Sequence, residues 1–388
     1  MRDFRFLWTG RAVSLLGSWL LVVAVPAHMY AVTGSVFAAG ATLAAECLPV
    51  LMLGPLAGVL VDRWDRRRAM IAADLFRATA VAAMLIGTPA AIYLALVAES
   101  VGAVVFRPAA QAHVPAVVGP DGLAAANSWN ATTDGVVRLA GPTLGGVLFA
   151  WAGFEAVIAL DVASYLISAT AIAFTASRPI ARTPDGPATK TPPLVRRLLP
   201  LTGVFLAANA ALSALLVPFG MNNLGGSAQV GTVLSALGIG FLGGAVLVRW
   251  LDRIQLRTVL ATAQLATAGG FVLLFNAKDL TSAMVAAVVI GMFGSVTVVA
   301  PQTAVQRRVE NHRLGRISAI FLTVEAAATL IGAIAGPWLA ESVSLHVAAM
   351  TAAAITATSA VVGAVTVPRV MLAAKRSNEQ ADDHARTR

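Results

Sequence analysis

Three glutamates, Glu46, Glu99 and Glu325, stand inside long apolar stretches with no lysine or arginine within one helical turn. A carboxyl group withdrawn from water favours its neutral form, so an acid in that setting can gain and lose a proton near neutral pH. Such a group suits proton movement. Glu46, with Pro49 close behind it to bend its helix, ranks first, followed by Glu325 and then Glu99. The alternative is that each carboxyl hydrogen-bonds a neighbouring helix and never titrates. Two further acids have a base on the same helical face: Asp74 lies three residues before Arg77, and Asp134 lies four before Arg138. The first pair reads as structural; Asp134 and Arg138 are kept as proton-coupling candidates. Asp161 also reads as structural.

Other chemistries are poorly served. His28, His113, His312, His346 and His384 are scattered without ligand spacing, which argues against a metal site. The chain has no GxxxxGK[ST] loop to hold ATP, no HExxH pair and no nucleophile, histidine and acid grouping, so neither a cofactor nor an enzymatic activity is expected. Cys47 is the single cysteine, and no disulfide can form within the chain.

The elements that must position the acids follow from composition. Of 388 residues, 58% are hydrophobic and 12% charged, against about a quarter charged in soluble domains. A bilayer core about 30 Å thick needs roughly 20 apolar helical residues, and runs of that length recur near 8–32, 36–61, 69–87, 90–110, 124–151, 155–177, 198–220, 228–250, 257–276, 281–305, 314–340 and 344–367. The expected fold is an all-α integral membrane protein with twelve transmembrane helices. The basic opening and apolar run at residues 1–30 imitate a signal peptide, but the run is too long and a second follows at once, so it reads as an uncleaved first span.

Alternate connectors and the two ends carry 23 lysines and arginines, whereas the opposite connectors carry only Lys278. By the positive-inside rule both termini then face the cytoplasm of a plasma (inner) membrane. The net charge of +9 reads as an orientation signal and not as a nucleic-acid surface. A turn-rich connector at 178–197 separates six spans from six, giving an N-terminal bundle over 1–177, a C-terminal bundle over 198–367 and a polar, disordered tail over 368–388. The halves share features in order: Gly54-x-x-x-Gly58 before Arg63 returns as Gly240-x-x-x-Gly244 before Arg249, Pro108 as Pro301, and Gly141-Pro142 as Gly336-Pro337. Two related six-helix bundles are a construction used by secondary transporters.

The stretch Gly58-Val59-Leu60-Val61-Asp62-Arg63-Trp64-Asp65-Arg66-Arg67-Arg68 resembles the signature loop between spans two and three of the major facilitator superfamily. With Gly141-Pro142-Thr143-Leu144-Gly145-Gly146 it places the chain close to the twelve-span drug:proton antiporter branch, which includes macrolide-efflux and siderophore-exporter proteins. Phe106-Arg107-Pro108-Ala109 with Gln111, and Asp161 with Ser164, are similar to that branch as well. Val137 stands where the longer exporter pattern has glycine, and Ala98 and Glu99 lie where many drug antiporters carry an arginine.

The resemblance implies a conformational latch at Gly58, Asp62, Arg63, Asp65, Arg66 and Arg67, with span eleven near Gly315 and Arg316 as its partner. It also implies a kinked span five at Gly141, Pro142, Gly145 and Gly146 that seals the cavity against leak. Spans one, four, seven and ten would line that cavity, offering Ser14, Ser18, Asn209, Ser213, Ser295 and Gln302 to substrate, with Phe205, Phe219, Met292 and Phe293 as an apolar wall. The expected activity is proton-coupled efflux of a small amphiphile such as a drug, antibiotic or siderophore-like compound. The expected partners are the lipid bilayer, that small molecule and protons, with no nucleic acid and the chain acting as a monomer. Proton-coupled uptake, or a transporter-like sensor or scaffold without transport, are the alternatives.

Overall fold

The computed structural model describes residues 2–61, 64–176, 192–251, 253–306, 308 and 311–371. Span one is Arg2–Thr33, span two Val36–Val61 and span three Arg66–Ala82, prolonged by a tight turn to Ile86. Span four is Pro89–Gln111, and Ser128–Ala173 holds the next two. The second half comprises span seven (Pro193–Asn223), eight (Ser227–Leu247), nine (Leu256–Phe275), ten (Leu280–Gln306), eleven (Asn311–Ser342) and twelve (Leu345–Thr366).

Helical backbone runs from Pro89 to Ala173, 85 residues, about four times what a bilayer accommodates at 1.5 Å per residue. Its contacts with span one show that it doubles back twice. Phe106 and Ala109 share a core with Phe4 and Leu7, while Ile92 and Leu96 share one with Val25 and Met29, so span four runs against span one. Span five then runs with it: Trp8 meets Thr133, Arg11 meets Asp134, and Leu20 meets Gly145. Beyond Gly153, whose φ of 84° only glycine adopts without strain, the direction reverses again. Ser168 lies by Gly10, Asp161 by Gly17, and Ile158 in the core of Leu21 and Val25. Counting both crossings of Ser128–Ala173 yields twelve.

Each half has two apolar cores, one toward each membrane face. At the end carrying the basic connectors these are built around Met70, Phe106 and Ile172, and around Leu198, Leu256 and Ile317. At the far end they centre on Met29, Met84 and Phe154, and on Phe219, Phe275 and Ala348. Lipid offers helices no hydrophobic reason to associate, so small residues that allow close approach do the work. Spans eight and ten show this: a Cβ on Gly240 would lie 2.1 Å from the Val288 carbonyl oxygen, and one on Gly244 would lie 2.0 Å from that of Met292. Trp151 and Trp338 near the far face, and Trp64 and Trp250 near the basic one, are exposed, the placement expected of interfacial anchors.

Several boundaries differ from expectation. Span one begins at Arg2, earlier than residue 8. Span seven starts at Pro193, before residue 198, because proline suits a first helical turn and Val195 and Leu198 are already buried one turn apart. Residues 368–371, expected to belong to the polar tail, are held at the basic end: the Leu256 amide donates to the Val370 carbonyl at 2.8 Å, and Arg308 donates to the Met371 carbonyl. Most of the connector at 178–197, and the tail from 372, lie outside the described residues. Asp279, in the connector before span ten, accepts from the Ser282 amide at 2.9 Å, and these hydrogen bonds hold its carboxyl below the usual carboxylate range.

Candidate functional site

Within the N-terminal bundle, spans one, three, four and six converge on one buried guanidinium. Arg77 donates to Glu99 Oε1 through Nη2 at 2.7 Å and Nε at 2.8 Å, to Tyr165 Oη at 2.9 Å and to Ser18 Oγ at 3.2 Å. Tyr165 donates to the same Glu99 oxygen at 2.8 Å, and its ring centre lies 4.2 Å from Arg77 Cζ. Asp74, one turn before Arg77, is 3.5 Å away. An oxygen that accepts three donors, two of them charged, is fixed in place. The expected pairing of Asp74 with Arg77 is present but long, and the short bond goes to Glu99.

This overturns the view of Glu99 as an acid without a base: spacing along span four could not reveal an arginine arriving from span three. Ser18 likewise belongs to this cluster, its Oγ lying 2.9 Å from Tyr165 Oη, and not to an open cavity wall. Ser14 and Ser295 are buried between helices as well, at 2% and 0% exposure. Nearby, Asp161 is fully buried, takes a hydrogen bond from Ser164 Oγ at 3.1 Å, and presses on Gly17.

Glu46 differs. No hydrogen bond or ion pair reaches its carboxyl among the described residues; only its backbone carbonyl is engaged, by Ser100 Oγ at 2.5 Å. Glu325, on span eleven of the other bundle, likewise has no hydrogen bond or ion pair to its carboxyl among the described residues. Span two, which carries Glu46, packs against span eleven, which carries Glu325. Arg138 stands between two aromatic faces, 5.4 Å from the ring of Trp19 in span one and 5.4 Å from that of Phe241 in span eight. Its expected partner, Asp134, turns away and takes two bonds from Arg11 of span one, at 2.7 and 2.9 Å. Two residues four apart share a face only approximately, and a bidentate arginine from the adjoining helix is the better match. Ser213 and Gln302 are exposed and Asn209 partly so.

The two Gly-Pro pairs occupy equivalent seams between the bundles. Pro142 of span five meets span eight, where a Cβ on Gly231 would stand 2.5 Å from the Pro142 carbonyl oxygen. Pro337 of span eleven meets span two, where a Cβ on Gly40 would stand 2.1 Å from Pro337 Cγ. At the first seam Thr143 donates to the Gly231 carbonyl at 3.1 Å and lies 2.6 Å from Ser235 Oγ, and Ser227 donates to the Gly146 carbonyl at 3.0 Å. Gly141 and Gly145 face the other way, onto Trp19 and Leu20 of span one. Val23, Ala27, Val217 and Val230 close the space between the seams, and Asn222 donates to Tyr30 at 2.6 Å. These joints lie from mid-membrane to the far end.

Of the expected latch, Asp62 and Arg63 lie outside the described residues, and only the helical backbone of Gly58 is described. Asp65 and Arg67 make hydrogen bonds within their own bundle. Asp65 caps span three by accepting the Arg68 amide at 2.8 Å, and Arg67 donates to the Ile172 and Ala173 carbonyls at the end of span six. A cation at a helix C-terminus satisfies carbonyls that have no partner within the helix.

Twelve helices in two six-helix halves, joined at paired Gly-Pro seams, define the major facilitator fold. Residues 1–386 match the family described as transmembrane secretion effector, and the chain belongs to it. It is 30% identical over 176 residues to macrolide efflux protein A of Streptococcus pyogenes, a stretch covering 44% of each chain. It is 26% identical over 170 residues to the MFS-type transporter YfiS of Bacillus subtilis (strain 168), covering 43% of this chain and 41% of that one. The alignments thus span less than half the length of these curated relatives. Among solved structures, a bacterial homologue of the iron transporter ferroportin in an inward-facing state superposes with a TM-score of 0.75 at 17% identity, over 94% of this chain and 99% of that one. An auto-inhibited peptide transporter of the POT family gives 0.78 at 8% identity, over 97% and 98%. At these identities the likeness is one of fold.

Proposed function

We propose that the protein exports a small amphiphilic compound across the plasma membrane by alternating access, driven by protons that load onto Glu46. The observation carrying this reading is the contrast between two neighbouring acids: Glu99 is locked by Arg77 and Tyr165, whereas the Glu46 carboxyl has no partner among the described residues. A free carboxyl between two bundles changes charge without breaking an existing bond, and that charge biases which arrangement of the bundles is favoured. With the basic connectors on the cytoplasmic side and both termini there, the joined far end faces outward and the gap holding Glu325 and Arg138 opens inward, ready to load substrate from the cell. The similarity to macrolide efflux protein A supports export and supplies a first probe.

The test is accumulation of a labelled macrolide in inside-out proteoliposomes with and without an imposed proton gradient. The gradient should raise accumulation by the wild type at least tenfold, and Glu46→Gln should remove that response while leaving gradient-independent exchange. A wild type indifferent to the gradient refutes proton coupling; a Glu46→Gln variant that keeps the response refutes the residue.

A further inference from the structure

The two Gly-Pro seams are alike in backbone but differ in chemistry. The seam of spans five and eight is bridged by hydroxyls and carbonyls, Thr143, Ser227 and Ser235 against Gly146, Gly231 and Leu139. The seam of spans two and eleven ends in a carboxylate. Glu341, in the last turn of span eleven, accepts Ser35 Oγ and the Phe37 backbone amide at 3.3 Å. Ser35 in turn accepts the Ala38 amide at 2.9 Å. Span two of one bundle is therefore capped at its N-terminus partly by its own serine and partly by an acid from the other bundle.

A helix N-terminus presents amides without internal partners and a partial positive charge, and a carboxylate there answers both. Hydrogen bonds to a charged acceptor are also stronger than those between neutral groups. Separating the bundles at the far end removes this cap, so it stabilises only the arrangement in which that end is shut.

We propose that Glu341 is the positioning residue of the far-side gate: its carboxylate, shared with Ser35 and the Phe37 amide, holds the outer end closed. Replacing the carboxylate by an amide removes the negative charge and puts a donor in place of one oxygen, which the helix terminus cannot use. The titratable groups on the surrounding elements are Tyr93 of span four, which donates to the Ala38 carbonyl at 2.7 Å, Tyr30 of span one, bonded to Asn222, and His346 at the start of span twelve. The ion pairs described elsewhere, Arg11 with Asp134 and Arg77 with Asp74 and Glu99, lie within the N-terminal bundle and leave this gate untouched. The gate stands whether or not Glu46 couples transport to protons.

The test measures opening directly. Spin labels at Val32 and Val343, exposed residues at the far ends of opposite bundles, are introduced into a Cys47→Ser chain in nanodiscs, and distances between them are read. Wild type should show a predominantly short distance. Glu341→Gln should raise the long population about tenfold, with Ser35→Ala giving a smaller rise. The Glu46→Gln, Glu325→Gln double variant should keep the wild-type distribution. If Glu341→Gln keeps the wild-type distribution, or if the double variant alone lengthens the distance, the proposal is wrong. Elution as an intact monomer by gel filtration verifies folding of each variant.

Discussion

Replacing Arg77 by methionine removes the centre of the buried cluster while keeping most of the side-chain volume. Arg77 and Glu99 are 8% and 14% exposed, so water provides little compensation. The substitution takes from the Glu99 carboxylate two of its three donors, at 2.7 and 2.8 Å, and also removes the Arg77 contacts of Asp74, Ser18 and Tyr165. Removing one partner of a buried ion pair costs about 3–5 kcal/mol, whereas replacing both by apolar groups of similar size is close to neutral. Arg77→Met should therefore destabilise the protein by about 3–5 kcal/mol in denaturant titrations followed by circular dichroism in mixed micelles. Adding Glu99→Met should recover more than half of that loss, because the orphaned charge goes with it. A single variant within about 1 kcal/mol of wild type, or a double variant that loses the sum of both single effects, would refute the claim that this pair is a buried, mutually dependent unit.

Three other outcomes follow from the same geometry. Gly231→Ala places a methyl group 2.5 Å from the Pro142 carbonyl and 2.8 Å from Thr143 Cα, both backbone atoms unable to swing aside, so far-end spin labels should report a seam forced apart while unfolding of the isolated helices stays unchanged. Arg11→Gln breaks an ion pair whose side chains are 25% and 45% exposed, and solvent screening limits its effect on the same titration to about 1 kcal/mol or less. A cysteine at Lys278 in a Cys47→Ser background should react with a membrane-impermeant maleimide on intact cells, and one at Arg253 only after permeabilisation; the reverse pattern would overturn the orientation.

Spans, repeats and the positions of the Gly-Pro pairs were legible because each depends on local pattern: apolar run length, breaker residues and recurrence. Contacts between helices were not. Spacing along one helix paired Asp134 with Arg138, but the arginine that reaches Asp134 comes from span one, and Arg138 is instead flanked by Trp19 and Phe241. Glu99 looked isolated for the same reason, since its base stands one span earlier. Asp65, three residues ahead of Arg68 at the opening of span three, carries a capping signature that sequence alone offers. Tyr165 and Glu341 had no signal of their own: a lone tyrosine in an apolar run and an acid at a helix end gain meaning only when another helix arrives beside them.

The described ion pairs all fall in one half of the molecule, while the other is assembled mainly from alanine, glycine and aliphatic contacts. Two halves of common layout are thus made of different materials. A substitution in the first half therefore breaks directed bonds at fixed points, whereas one in the second changes how closely neighbouring helices can approach.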